Sequence, residues 1–213
     1  MERTVIVMDT REHKGKKDHI LSALEAMGIR VVRSKMYVGD WTLLHDQRVC
    51  IDTKKDLQEV YGNLIGDHER FRNECIRARD AGIRLVVLVE EGGIRDVKDV
   101  AAWVNPRAVQ YQQRLDGTLN PYCRAAKRPM PKAPPVSSRR LAGIMQTMAE
   151  NYGVTWAFCE KDKTGETICQ ILGVPQKSSS RPSAPSTPAG GSDSTSTGTG
   201  DAPASSTVDR TGT

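Results

Sequence analysis

Side chains that could share a metal-assisted hydrolysis fall at four places early in the chain: Asp9-Thr10-Arg11-Glu12, Gly39-Asp40, Asp52-Thr53-Lys54 and Arg70. Hard divalent cations such as Mg²⁺ take carboxylate oxygens and water, so two or three convergent acidic side chains are what such a site requires. An ammonium beside them can orient the attacking water or stabilise charge on the transition state. Asp52 and Lys54 are two residues apart, and at a strand end such a pair points to the same side of the sheet. Each feature read alone has an ordinary alternative. Asp52 and Lys54 could be a solvated ion pair, Asp9 a strand terminator, Arg11-Glu12 a solvated turn and Gly39-Asp40 a turn signal. Arg70 has ion-pair spacing with Glu74 on one helix. Their order within one β-α-β-β-β context is what points to chemistry.

Positioning these groups requires a sheet. Residues 4–9 form an apolar run of strand length, and Ile20, Leu24 and Met27 make a helical stripe that ends at Gly28. Three short strands are predicted over 30–36, 41–45 and 48–52, with Asp46-Gln47 placed for a tight hairpin, so part of the sheet is antiparallel. Asp67 is expected to cap a helix carrying Phe71, Cys75 and Ala78, Gly82 suits its end, and residues 85–89 read as a buried strand. The region 96–136, broken by Pro106, Pro121, Pro129, Pro131, Pro134 and Pro135, is expected to be a partly helical excursion and flexible linker. Leu141, Ile144, Met145, Met148 and Tyr152 lie at helical spacing behind Ser137 and Ser138, and a strand near 154–159 and a helix near 166–172 close the region. The predicted organisation is a domain over 1–174, with its core in 1–95, the excursion in 96–136 and a closing helix-strand-helix in 137–174. A Ser/Thr/Pro/Gly-rich tail over 175–213 cannot bury enough surface to offset its ordering entropy and is expected to be disordered.

The formal net charge of +5 and pI near 9.0 favour a polyanionic partner. In the tail, Lys177, Arg181 and Arg210 balance Asp193, Asp201 and Asp209, so the excess belongs to the region before it. No stretch approaches the roughly 20 apolar residues of a membrane span, and Val5-Ile6-Val7-Met8 is too short for a secretory segment. A cytoplasmic protein without a membrane partner is expected. The scattered Cys50, Cys75, Cys123, Cys159 and Cys169 have no Cys-x-x-Cys spacing and read as reduced thiols. His13, His19, His45 and His68 show no spacing that collects a metal. Lys14, Lys16 and Lys17 could touch phosphate or form a solvated charge run. Arg124, Lys127, Arg128, Lys132, Arg139 and Arg140 read equally as a mobile DNA-tracking arm or a solvated linker. Trp41 suits a core or groove-lining place, with stacking on a base as the alternative.

From Val5 to Glu90 the chain resembles the nuclease domain of the XPF/Hef family of structure-specific endonucleases, and more closely its short phage and prophage relatives. That family shows a strand ending in Asp-x-Arg-Glu, then Gly-Asp, then Glu-Arg-Lys-x-x-x-Asp, a helix with an early Arg, and an apolar strand ending in Glu. Here stand Asp9, Arg11 and Glu12; Gly39 and Asp40; Asp52 and Lys54; Arg70; and Leu88-Val89-Glu90. The resemblance implies a restriction-endonuclease-like α/β core of the PD-(D/E)xK type, with a mixed sheet flanked by helices and a C-terminal helical extension. It implies that Asp40 and Asp52 hold Mg²⁺ or Mn²⁺, that Lys54 serves catalysis, that Asp9 and Glu12 extend the acidic cluster, and that Arg11 and Arg70 face DNA phosphate. The activity implied is a DNA endonuclease acting on branched or flapped DNA in recombination, repair or phage DNA processing. The alternative is a non-catalytic DNA-binding module that keeps the fold; a third reading makes the core a scaffold for the tail and basic linker.

Two departures bear on the site. Asp52-Thr53 stands where long members have Glu-Arg, which keeps a metal ligand with shorter reach and removes one phosphate-binding group. The family's trailing Asp meets Gln58, with Asp56 two residues too early, so Asp56 is left out of the site. The helicase and tandem helix-hairpin-helix modules have no counterpart in these 213 residues, so DNA geometry is expected to be read by the core, a second subunit in a homodimer, or a partner protein.

Overall fold

The computed structural model describes residues 4–11 and 15–175. Glu12, His13, Lys14 and the tail from residue 176 onward, for which disorder was the expectation, lie outside the described residues.

Six strands make one mixed sheet in the order β2-β1-β3-β4-β5-β6. β1 (Val5–Asp9) leads to α1 (Asp18–Ala26), which returns the chain to β2 (Arg30–Ser34) beside and parallel to β1. β3 (Trp41–Leu43) runs antiparallel to β1, and β4 (Val49–Lys54) antiparallel to β3. The expected hairpin joins them, with the Asp46 carboxylate accepting from the Arg48 amide at 3.1 Å. α3 (His68–Asp80) crosses to β5 (Arg84–Glu90), parallel to β4, and α5 (Ser138–Tyr152) crosses to β6 (Thr155–Cys159), parallel to β5. α6 (Thr164–Ile171) closes the described chain.

The period of two decides which side chains meet which helices. On β5, Leu85, Val87 and Val89 join Val7 and Cys50 under Phe71 and Cys75 of α3 and Leu141 and Met145 of α5. Val86 and Leu88 face the other way, with Ile6, Met8, Trp41 and Ile51 against Ile20 and Leu24 of α1 and Ile168 of α6. Each large apolar side chain so buried contributes about 1.5–3 kcal/mol relative to exposure. The same alternation puts Asp52 and Lys54 on the α3 side of β4 with Cys50, and Thr53 on the α1 side with Ile51.

Local detail refines some expectations and replaces others. Asp67 stands at the start of α3 without capping it, because its carboxylate engages Arg70 instead. A short helix α2 (Leu57–Tyr61) and a π-helical turn (Gly62–Gly66) join β4 to α3. α2 is capped by Asp56, which accepts from the Glu59 amide at 2.8 Å. The excursion holds a ten-residue helix, α4 (Pro106–Leu115), begun by Asn105, which accepts from the Arg107 amide, with Pro106 as its first residue. The turns after α4 are tied down by Arg114, whose guanidinium donates to the carbonyls of Ala125 and Arg128. Trp41 is fully buried, its Nε1 donating to Thr53 Oγ1 at 3.2 Å, which makes it a core residue rather than a base-stacking one.

Gly39 fixes the approach of the loop before β3 to β4. Its φ is +70°, and a Cβ there would meet the Ile51 carbonyl oxygen at 3.0 Å. Only a bare backbone lets the Asp40 amide donate to Ile51 O at 2.7 Å. Gly39→Ala is therefore expected to cost about 1–3 kcal/mol, measured by denaturant unfolding, and to loosen the position of Asp40.

Candidate active site

The strand ends carrying the sequence motifs meet in one recess of about 680 Å³. Asp9, Arg11, Gly39, Asp40, Asp52, Lys54 and Arg70 all line it, together with Lys17, His19, Glu74 and Glu90. Six of the seven site residues expected from the sequence are thus brought together; the seventh, Glu12, lies outside the described residues.

β4 carries the centre. Asp52 and Lys54 are only 5% and 8% exposed, and Asp52 Oδ1 accepts from Lys54 Nζ at 2.9 Å. Asp52 Oδ2 lies 2.7 Å from the same nitrogen but without hydrogen-bond geometry, and no other donor reaches it. The pair is a close ion contact that leaves one buried carboxylate oxygen short of a donor. Burial acts to lower the pKa of Lys54, but the adjoining Asp52 outweighs it, with Asp40 and Glu59 adding to the effect, and holds the amine as an ammonium well above its usual range.

Asp40 is set by the turn at Gly39. Its Oδ2 accepts from the Thr53 amide at 2.9 Å and from Thr53 Oγ1 at 2.7 Å, tying it to the residue between Asp52 and Lys54. Its carbonyl accepts from the Asp9 amide at 2.8 Å, which binds the end of β1 to the same corner.

Asp9 is 1% exposed and already provided with donors. Oδ1 accepts from Arg11 N at 2.6 Å and Nε at 3.0 Å, and Oδ2 from Arg11 Nη2 at 2.7 Å and Met36 N at 3.0 Å. Burial works to raise its pKa, but these hydrogen bonds prevail and hold it below the ordinary carboxylate value. Asp9 consequently fixes Arg11, whose side chain remains well exposed over the recess. Arg70 is held by Asp67 at 2.5 Å and by Asn63 Oδ1 at 2.9 Å, not by Glu74 as its spacing had allowed. Glu74 instead accepts from the Gly39 amide at 3.1 Å.

Further members of the recess lie outside the motif residues, among them Lys17, Glu90 and Glu74. Lys17 is buried, and its Nζ donates to the Thr53 carbonyl at 3.1 Å. Glu90 is also buried, accepting from Thr164 Oγ1 at 2.9 Å and lying 2.5 Å from His19 Nε2. Glu74 reaches in from α3. The place of Glu90 at the end of an apolar strand beside β4 was the signal available for it; Lys17 and Glu74 gave none beyond their charge.

Among the described residues no three His, Cys, Asp or Glu side chains are already grouped around a shared cation position. The donor chemistry still fits a hard divalent ion. Asp52 offers a buried oxygen with no hydrogen-bond donor, Asp40 lies in the same recess, and an ion of this kind completes its shell with water.

A mixed six-stranded sheet flanked by helices, with Asp-x-Lys at the end of a central strand, defines a restriction-endonuclease-like fold. A family model described as the ERCC4 domain matches residues 8–171, and the chain belongs to that family of nuclease domains. Two solved structures of XPF from Aeropyrum pernix, one in complex with DNA, are similar to it, each at 16% identity and a TM-score of 0.49. The matches cover 79% and 81% of this chain and 63% and 64% of those chains, so the chain spans less than two thirds of their length. A comparison with curated proteins gave no match.

Proposed function

We propose that this chain is a DNA endonuclease that hydrolyses phosphodiester bonds with Mg²⁺ or Mn²⁺, acting on branched or flapped DNA in recombination, repair or phage DNA processing. The observation that carries this reading is the buried Asp52–Lys54 pair at the end of β4, in one recess with Asp40, within a family of nuclease domains. Withdrawing two charges from water costs several kcal/mol for each ion, which a merely solvated pair on a strand end does not incur.

In this reading Asp40 and Asp52 hold the cation, which when bound supplies a Lewis acid for the phosphoryl group. Lys54, kept as an ammonium by Asp52, orients the attacking water and stabilises the charge that develops on the phosphate. Arg11 and Arg70 contact flanking phosphates, Asp9 acts by positioning Arg11, and Glu12 extends the acidic rim. A second copy of the chain or a separate partner protein would help the core read DNA geometry. No described helix is long and apolar enough to cross a membrane. The five free cysteines support a reducing, cytoplasmic setting.

The test is a cleavage assay on flap, fork, Holliday-junction, single-stranded and linear substrates. Mg²⁺ or Mn²⁺ should support cutting, preferentially of the flap and fork, while Ca²⁺ should support binding with little turnover, since it accepts the same oxygens in looser geometry. Undiminished cutting in excess chelator would refute the mechanism, and metal-independent binding with no cutting of any substrate would favour the non-catalytic alternative. Residues 1–174 are proposed as the catalytic unit, because the sequence after them carries almost no large apolar residue and no net charge. Removing 175–213 should leave cleavage within a few-fold in the same assay; loss of folding or activity would move the boundary.

A further inference from the structure

A second large recess, of about 600 Å³, opens between α2, α4 and the turns after α4. Its floor is apolar, with Ile65, Tyr61 and Tyr111 facing a run of prolines. Four arginines line it, Arg107, Arg114, Arg124 and Arg128, and among the described residues no carboxylate does. Two of the four have structural work: Arg114 clasps the carbonyls of Ala125 and Arg128, and the Arg107 guanidinium lies 5.1 Å from the Tyr61 ring centroid. Arg124 and Arg128 are exposed, with no hydrogen bond or ion pair from their guanidinium groups among the described residues. Tyr111 is half-buried.

This recess and the catalytic one are neighbours across α2. A shallower depression beside α2 shares Lys55, Glu59 and Asn63 with the catalytic recess and Arg107 with the arginine recess. A nucleic-acid strand leaving Asp52 and Lys54 along this line would run over α2 and the π-helical turn into the arginines.

We propose that the arginine-lined recess is a subsite for single-stranded DNA continuous with the strand in the catalytic cleft, with a base against Tyr111 and its phosphates on Arg124 and Arg128. The inference rests on the nuclease reading for the direction of the strand, though not for its binding chemistry. Unopposed guanidinium groups call for an anion, and an apolar floor beside them calls for a planar or apolar group attached to that anion. A duplex presents phosphates but keeps its bases stacked inside, leaving the floor unfilled; an unpaired nucleotide presents both. The volume is that of a small-ligand site, room for one or two nucleotides and not for a helix.

The test is fluorescence anisotropy of the full chain with a short labelled oligothymidine and with a duplex of the same length, in chelator so that no turnover intervenes. Tyr111→Ala should weaken oligothymidine binding about tenfold or more, the ordinary loss for a base–aromatic stack, while Tyr111→Phe retains it. The double variant Arg124→Ala/Arg128→Ala should lower the salt slope of binding by about 1.4, since each single-strand phosphate left unneutralised takes about 0.7 from the slope. Both should affect the duplex less than the oligothymidine. Equal losses on the two probes would reduce the recess to nonspecific surface charge, and unchanged oligothymidine binding by folded variants would likewise overturn the subsite. Circular dichroism checks folding, and Tyr111→Phe separates loss of the ring from loss of the hydroxyl. Because no arm requires cleavage, variants that keep wild-type oligothymidine affinity in a chain that cuts DNA sink the subsite alone. A chain that binds as expected and never cuts sinks the nuclease reading alone.

Discussion

Replacing Lys54 should lower the single-turnover rate of DNA cleavage by about 100–1000-fold, the usual loss when one preorganised charge interaction with a transition state is removed. The choice of variant matters because of Asp52. With Lys54→Ala the buried Asp52 carboxylate loses its ion-pair partner, and breaking a buried pair from one side costs about 3–5 kcal/mol. Loss of activity in that variant could then reflect unfolding. Lys54→Gln keeps an N–H donor near Asp52 Oδ1 while deleting the ammonium, so it should melt closer to wild type and cut no better than Lys54→Ala. Metal-free DNA binding should weaken modestly in both, with the salt slope falling by roughly one phosphate's worth. A folded Lys54→Gln protein that cuts at the wild-type rate would exclude Lys54 from the chemistry.

Asp40→Asn should abolish detectable cutting and move DNA affinity the other way. An Asn side chain can still accept from the Thr53 amide and hydroxyl through its carbonyl oxygen, so the hydrogen bonds at 2.9 and 2.7 Å that fix the loop have a replacement. What is lost is charge, and with it both a ligand for the cation and a repulsion against phosphate. Binding measured without metal should therefore hold steady or tighten while turnover disappears. An exposed carboxylate in a solvated ion pair, worth at most about 1 kcal/mol, would give neither effect. The opposite signs on affinity for Asp40→Asn and Lys54→Gln are what separate a catalytic pair of charges from a general change in surface potential.

The part of this site that sequence discloses is the part set by local geometry. Asp52 and Lys54 share a face because strands repeat every two residues, and the hairpin at Asp46-Gln47 brings Asp40 to the same end. Asp9 was legible as the end of an apolar strand, but not as the group that holds Arg11. Long-range pairing was not legible. Nothing in the residues of β1 says that it lies between β2 and β3, or that β6 lies beside β5 rather than at the other edge, since those neighbours are chosen by how α1 and α5 pack. Asp67 looked like a cap because short acidic residues before helices usually are; here Arg70, three residues on, competes for its carboxylate and wins. Lys17, just before α1, and Glu74, on α3, reach the recess from elements on opposite faces of the sheet. The recess formed by Tyr111, Arg124 and Arg128 depends on the Arg114 clasp, an interaction between a helix and a turn that no periodicity announces.

Single-turnover cleavage of a labelled flap substrate by wild type and Asp40→Asn, in Mn²⁺ and in excess chelator, is decisive for the metal-dependent nuclease when run beside melting curves and metal-free binding for both proteins. The expected result is cutting by wild type in Mn²⁺ alone, none by Asp40→Asn in either condition, and equal or tighter metal-free binding by the variant. Wild-type-like cutting by a folded Asp40→Asn protein, or cutting that survives chelation, would contradict a cation held by Asp40 and Asp52 as the centre of this protein's chemistry.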